Sequence, residues 1–369
     1  MALFMVKTWM GNKVTPIYGA EWAGTSDPSW TRTDDAVGFS APNPYYSGIS
    51  GSPLSPFDNI MPWSGMRRVT DANAGELVEI PKFYYKWTRD GVKMKLQISM
   101  SQFDGSHVSP AHADRGDGVG ERDYVYVGRY HCSTNDYKST SGVKPKASIT
   151  RATARTNIHN LGSNIWQFDF ALWWTINMLY LVEFANWNAQ VVIGAGCGNN
   201  SSTENSGASD TMPYHTGTMK TSRSTYGTGI QYRYIEDWWG NVFDWCEGIY
   251  FNNANIYGIK TPANFSDNSG GTYIGTKSTT NGWTKAWNAP SASGFEYALC
   301  PINVTNYDST YAASYYYQAS SYTILNIGAN YVNFLGNNAF CMGSDNDASS
   351  QKGDIGCRLM VLPPSRLSA

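Results

Sequence analysis

The sequence predicts an α+β fold, with two helices packed on short twisted antiparallel sheets joined by long loops. Three observations carry this. Residues Glu76 to Ile98 and Asp123 to Tyr130 alternate with a period of two, as half-buried strands do. Between Trp166 and Ala185, the residues Phe170, Trp173, Trp174, Asn177, Met178, Leu181 and Val182 fall at three- and four-residue spacing, which gives a helix one broad buried stripe. From about residue 250 onward, strand-like runs alternate with Asn, Ser, Gly and Thr loops without a fixed repeat, which argues against a propeller or solenoid. Runs of strands with separate helices define the class.

Taken in order, residues 1 to about 60 are rich in Gly, Pro, Ser, Asn and Trp, and Pro42, Pro44, Pro53 and Pro56 exclude a long helix. This part is read as loops and short strands that attach or assemble the molecule, ahead of a ligand-binding domain over 61–369. Glu76 to Trp87, a turn at Arg89-Asp-Gly, and Val92 to Ile98 read as a hairpin. Thr150 can cap a first helix, its hydroxyl accepting an amide of the first turn. The second helix is the Trp166–Ala185 stretch, read as amphipathic. Residues 197 to 224 hold little to bury and read as a long surface loop.

Around Gly240 and Asn241 the chain gathers Trp238, Trp239, Phe243 and Trp245, which reads as a turn within the core. Glycine supplies a backbone shape that other residues resist, and an Asn amide can satisfy buried backbone groups beside it. Tyr315 to Ser350 is dense in Asn, Ser, Tyr, Asp and Gly, with single Phe, Cys and Met residues. That vocabulary offers adaptable hydrogen bonds and rigid aromatic area, so the segment reads as a displayed binding face. An unstructured tail is the bland alternative, against which stand Tyr315-Tyr-Tyr, Tyr322, Tyr331, Phe334 and Phe340. Asp354 to Leu362 is a compact apolar close, in which Arg358 reads as an internal, ion-paired guanidinium supporting the core.

Composition narrows the function classes. Aromatic residues make up 14% of the chain and charged residues 15%, so neutral polar groups supply much of the surface. A formal net charge of -2 and the lack of a basic arm disfavour nucleic acid as a partner. Met1-Ala-Leu-Phe-Met-Val-Lys does not read as a secretory leader. The most apolar run, Phe168 to Phe184, is interrupted by Asp169, Thr175, Asn177 and Glu183 and reads as a buried helix, without membrane insertion. The cysteines at 132, 197, 246, 300, 341 and 357 show no two-residue spacing and read as free thiols.

Trp239-Gly-Asn-Val-Phe-Asp-Trp-Cys-Glu-Gly resembles the Gly-Asn-Val-Trp-Glu-Trp signature of the formylglycine-generating-enzyme-like variant of the C-type lectin fold, and Gly356-Cys-Arg-Leu resembles that fold's terminal strand. Ser55-Pro-Phe-Asp-Asn-Ile-Met-Pro-Trp-Ser-Gly-Met, Val78-Glu-Ile-Pro-Lys-Phe-Tyr-Tyr-Lys-Trp, Lys95-Leu-Gln-Ile-Ser, Val127-Gly-Arg-Tyr, Leu179-Tyr-Leu-Val-Glu-Phe-Ala and Ser291-Ala-Ser-Gly-Phe-Glu-Tyr-Ala-Leu resemble phage and prophage proteins of this fold. Those proteins sit at tail-fibre tips or are the targets of diversity-generating retroelements. The resemblance spans about residues 30 to 360.

It implies a receptor-binding protein of a phage tail fibre or baseplate, carried on the virion. Its partners would be a bacterial cell-surface protein or glycan and other tail or baseplate proteins, and it would form a homo-oligomer, a trimer by fibre symmetry. Ile327-Gly-Ala-Asn-Tyr is similar to the fixed Val-Gly-Gly-Asn-Tyr frame of retroelement-diversified proteins, and Gly353-Asp-Ile-Gly-Cys-Arg-Leu-Met to their Tyr-Ile-Gly-Ala-Arg-Leu-Leu end. On that resemblance Tyr331, Asn333, Asn337, Asn338, Cys341, Met342, Ser344, Asp345, Asn346 and Asp347 would be displayed to ligand, with Tyr322 and Asn326 upstream. Trp239, Gly240, Asn241, Trp245 and Arg358 would be structural.

The copper oxidases of this fold use two cysteines four residues apart, whereas Cys341 and Cys357 are the closest pair in this sequence, so the oxidase pair is missing. His107 and His112 near Asp104, Asp114 and Asp117 could form an oxygen- and nitrogen-rich site, though a hydrogen-bonded loop is the plainer reading. Glu236, Asp237, Asp244 and Glu247 form an acidic cluster that could hold calcium, or else a solvated rim beside the Trp core. No serine or cysteine stands in a recognisable nucleophile elbow. The expectation is a non-enzymatic binding protein without a cofactor, calcium being the one candidate ion. A carbohydrate-active or oxidative enzyme and a purely structural virion protein are the rival classes.

Overall fold

The fold is built around one helix. In the computed structural model, which describes residues 15–308 and 310–367, all fifteen residues of the helix Phe170–Phe184 are buried. The reading of Met1 to Lys7 lies outside the described residues, as does the start of the expected assembly region. Asp169 caps the long helix by accepting a hydrogen bond from the amide of Leu172 at 2.9 Å, and Ala185 ends it in the left-handed conformation at φ 50°. The chain before it, Ile165–Gln167, is a strand and not the first helical turn.

The expected single stripe is therefore a correction: the helix is surrounded on every side. Its polar residues are matched by partners from distant parts of the chain. The indole Nε1 of Trp238 donates to Asn177 Oδ1 at 2.9 Å. Thr175 donates back to the carbonyl of Ala171 at 2.8 Å and accepts from the amide of Ala111 at 3.1 Å. Glu183 takes a forked contact from Arg233, at 2.8 and 2.6 Å, together with hydroxyl donors from Ser55 and Tyr232. A helix that is apolar nearly all round is stable only inside a core, and a carboxylate survives there when a guanidinium and hydroxyls satisfy it.

Four sheets surround this helix among the described residues, which makes the fold mixed α+β. One sheet runs in the order 31–34, 17–22, 93–99, 84–90, 107–108, all antiparallel. The second runs 165–167, 359–361, 124–128, 75–81, 67–71. The expected hairpin exists as Tyr84–Asp90 with Lys93–Ser99, but Gly75–Pro81 belongs to the second sheet. Pro81, which has no amide hydrogen to give, closes that strand, and the chain crosses between sheets at Lys82 and Phe83. The short helix Arg151–His159 covers this sheet, and Thr150 caps it as expected, with the Thr153 amide 3.1 Å from its hydroxyl.

Residues 17 to 60 share the central core with the rest. Ile17–Trp22 pairs with Lys93–Ser99, Trp22 and Trp30 both pack on Trp187, and the Trp30 amide bonds to the carbonyl of Ala185 at 2.8 Å. A third, four-stranded sheet of very short strands joins 45–46 to 217–218, 230–232 and 235–236.

The fourth sheet has nine strands. Along it lie 272–276, 255–258, 243–252, 322–327, 342–346, 315–318, 282–287 and 301–305, with 355–356 pairing beside the start of 243–252. Most neighbours are antiparallel, but 315–318 and 342–346 run parallel in its middle. No helix among the described residues is long and apolar enough to cross a membrane.

Candidate ligand-binding cleft

Alternation along the central strands of the nine-stranded sheet decides which side chains reach solvent. In Tyr315-Tyr-Tyr the middle residue turns inward, where Tyr316 is buried and its hydroxyl lies 2.6 Å from Ser344 Oγ. Tyr315 and Tyr317 turn to the opposite side. There Trp283, directly across from Tyr315 in the next strand, meets it edge-on at 5.4 Å between ring centres. Tyr317 packs on Tyr315 at 4.7 Å and on Phe243 at 6.1 Å. The result is an aromatic wall drawn from three strands, 282–287, 315–318 and 243–252.

This wall faces a cleft of 570 Å³, whose remaining lining comes from Asn326, Asp345 and Asn346 on the sheet, the loop 330–336, and Lys352, Asp354 and Ile355. Such a volume falls in the range of small-molecule and saccharide sites. Gly343 makes room for the floor: a side chain there would put its first carbon 2.6 Å from the Asn326 amide. The amide nitrogen of Asn346 donates to Asn326 Oδ1 at 3.2 Å and to Asp345 Oδ1 at 3.0 Å. A carboxylate can only accept, so this fixes the amide's orientation, and Asn346 Oδ1 is left buried without a partner in the protein. Burial pushes the Asp345 carboxyl above its ordinary value; Lys352 opposes this and Asp354 adds to it.

The loop that forms the lip is held on both sides. Asn330 accepts the amides of Val332 and Asn333 at 3.1 and 3.0 Å and donates to Asp354. The side-chain amide of Asn333 donates to the hydroxyl of Tyr317. From outside, Tyr226 and Gln190 donate to the carbonyl of Phe334 at 3.2 and 3.1 Å. Val332, Phe334 and Leu335 are exposed on this lip.

The structure separates the residues expected to be displayed. Asn326, Asn333, Asp345 and Asn346 line the cleft. Tyr322, Tyr331 and Asp347 reach solvent outside it; Tyr322 accepts from Asn252 at 2.9 Å, and Asp347 caps the turn at Ser349 and Ser350. Display is corrected for Asn337, Asn338, Cys341, Met342 and Ser344, all buried. The two asparagines act as brackets: Asn337 donates to the carbonyl of Ala195 at 3.0 Å, and Asn338 to those of Trp187 and Ala313 at 3.1 and 2.7 Å. Phe243, Trp283, Tyr315, Tyr317, Lys352 and Asp354 line the cleft outside the set that the sequence resemblance implies. The period of two in Tyr315-Tyr-Tyr could have found two of them, whereas Trp283 enters only through strand pairing.

The structural residues sit behind the cleft. Gly240 adopts φ 88°, with the carbonyl of Cys197 only 2.6 Å from where a side chain would begin. Asn241 exchanges bonds with Glu204 and donates to Asp237. Trp239 and Trp245 donate to the carbonyls of Gly194 and Ile149. Arg358 is fully buried and donates to Asp244 and to the carbonyls of Gly128, Arg129, Glu236 and Asp237, all within 2.9 to 3.1 Å.

The candidate metal clusters come apart in space. His112 is buried, with Nδ1 2.7 Å from Ser109 Oγ and Nε2 2.9 Å from the carbonyl of Ile80, and burial lowers its pKa to about 4. His107 instead lines a separate cavity, 4.0 Å from Glu296, while Asp117 pairs with Arg122. Of the acidic cluster, Asp244 pairs with Arg358 and His131, and Glu247 with Arg151 and Arg155. Glu236 accepts the amides of Gly207 and Ser209. These carboxylates are buried, so the solvated rim is a correction too. No group of three or more His, Cys, Asp or Glu that could hold a metal ion occurs among the described residues.

All six cysteines are free and buried. Cys132 and Cys357, far apart in sequence, are neighbours: the amide of Cys132 bonds to the carbonyl of Cys357 at 2.8 Å. Burial is the main cause pushing the Cys132 thiol well up, so it is a poor nucleophile. No protein-family model matches the chain, and no curated protein matches it.

Proposed function

We propose that the protein is a receptor-binding protein of a phage tail fibre or baseplate, and that the aromatic cleft takes a ligand on the bacterial surface. The single observation that supports this most is the cleft itself, where an aromatic wall, the Asp345 carboxylate and an exposed apolar lip stand together on one sheet and its adjoining loop. Aromatic anchors ringed by polar groups are how recognition surfaces combine affinity with selectivity. The finer assignment of the fold, a C-type-lectin-like domain of the formylglycine-generating-enzyme type, rests on the sequence motifs quoted above. So does the reading of residues 1–60 as the assembly region and 61–369 as the ligand-binding domain, with a retroelement-diversified segment over 315–350. In a trimer, three weak sites would act together and raise the effective affinity.

The test uses the full chain and candidate host cells. Trp283→Ala removes one end of the wall at a partly exposed position, so the chain should still fold and assemble while cell binding falls at least tenfold. Equal binding by both proteins, at equal stability and assembly, would remove the cleft from the recognition surface.

A further inference from the structure

We infer that the group this cleft recognises is a protonated primary amine on a sugar, so that the ligand is a glycan carrying unacetylated amino sugar. The inference rests on the cleft being the ligand site, as proposed above, and adds the chemistry of what enters it.

The cleft floor mixes acceptors with one amide donor, that of Asn326, whose oxygen is taken by Asn346. Asp345 is a carboxylate whose only side-chain donor is its neighbour Asn346. The amide orientation fixed by that bond leaves Asn346 Oδ1 as a second acceptor, buried and without a partner, on a side chain that lines the cleft and is 3% exposed. Asn346 Oδ1 lies below the reach of solvent, whereas the second oxygen of Asp345 takes no side-chain donor from the protein and borders the cleft, so the floor favours a ligand that brings N–H groups to Asp345. A carboxylate also favours a positive ligand, and the faces of Trp283 and Tyr315 attract a cation and stack on the apolar face of a pyranose. Asp354 adds a second negative charge, already engaged by Asn330, while Lys352 stands exposed at the rim, where water and salt screen it.

The alternative source of a primary amine is a lysyl side chain, but a flexible butyl chain leaves most of a 570 Å³ cleft and its aromatic wall without a partner. An N-acetylated sugar would keep the stacking and lose both the charge and two of the three N–H donors.

The experiment titrates the full chain with the tetrasaccharide of glucosamine, the tetrasaccharide of N-acetylglucosamine, and N-acetyl-lysine amide, using the natural protein, Asp345→Asn and Trp283→Ala. The expected result is that the amino tetrasaccharide binds roughly tenfold to a hundredfold more tightly than the acetylated one. Asp345→Asn should abolish that preference while folding normally, and Trp283→Ala should weaken both sugars. Equal binding of the two tetrasaccharides, or a lysine amide that binds as well as the amino sugar, would overturn the inference. So would failure of every probe alongside cell binding that still depends on Trp283, and in that case the cleft would remain the recognition site. Cell binding indifferent to Trp283 would overturn the cleft reading itself, a separate outcome.

Discussion

The node around Arg358 and the floor of the cleft are both built from buried polar side chains, yet they treat their hydrogen bonds in opposite ways. At the node every contact closes inside the protein: one guanidinium reaches a carboxylate and four carbonyls and joins the closing strand to the segments around residues 128 and 237. On the cleft floor, Asn346 keeps an acceptor without a partner and Asp345 has a single side-chain donor. Saturated polar groups hold a fold together, while unsaturated ones destabilise it slightly and suit a place where something else binds. Saturation alone does not sort the two roles, because the brackets Asn337 and Asn338 also keep a buried Oδ1 without a partner; a recognition residue must border the cleft as well.

The strongest way to break this comparison is to open the node. Arg358→Met should cost about 3–5 kcal/mol, because it leaves Asp244 as a buried carboxylate with only His131 beside it and frees four carbonyls. Urea unfolding measures this directly. A loss below about 1 kcal/mol would mean that the node can relax and that saturation there is not what stabilises the strand.

Asn338, whose amide donors are both engaged inside the protein, tests the structural side of the comparison within the segment that composition marks as displayed. Asn338→Ala removes donors from the carbonyls of Trp187 and Ala313 and should cost about 2 kcal/mol. The loop it brackets also forms the cleft lip, so cell binding should weaken with it. A stability unchanged in thermal denaturation would put Asn338 back among the residues available to ligand.

How much of this was legible follows from the same contrast. The period-two strands, the Thr150 cap and the existence of the long helix rest on local pattern, and the chain delivers them. Thr175 and Glu183 fall off the expected stripe because their partners, Ala111 and Arg233, lie far along the chain. Likewise the vocabulary of 315–350 marks a polar, aromatic segment correctly but cannot tell a bracket such as Asn338 from a floor residue such as Asn326. Alternation separates Tyr315 and Tyr317 from Tyr316. Trp283 required the pairing of two strands that no local signal joins.

The smallest effect separates two carboxylates by the sign of their pH dependence. Burial acts to raise the Asp58 carboxyl, but hydrogen bonds from His215, Tyr214 and the amide of Ser55 outweigh it and bring the value down to about 2, with Arg233 also within 3.4 Å. A carboxyl lowered on folding contributes stability above its unfolded pKa of roughly 3.9, and that contribution is lost as pH falls through about 2. Asp345 is the reverse: burial raises it, Asp354 adds to the rise, and Lys352 only partly offsets them. The folded state then holds the proton more tightly than the unfolded chain, so stability declines as pH rises from roughly 3.9 through the raised value and stays lower above it. Asp58→Asn should therefore destabilise at pH 7 and progressively less in acid, whereas Asp345→Asn should stabilise slightly at pH 7 and lose that advantage below about pH 4. Melting temperatures of the two variants and the natural protein between pH 3 and 7 decide the matter. Parallel pH profiles for both variants would mean that Asp345 is satisfied within the fold, and the cleft floor would then differ from the Arg358 node in position and not in kind.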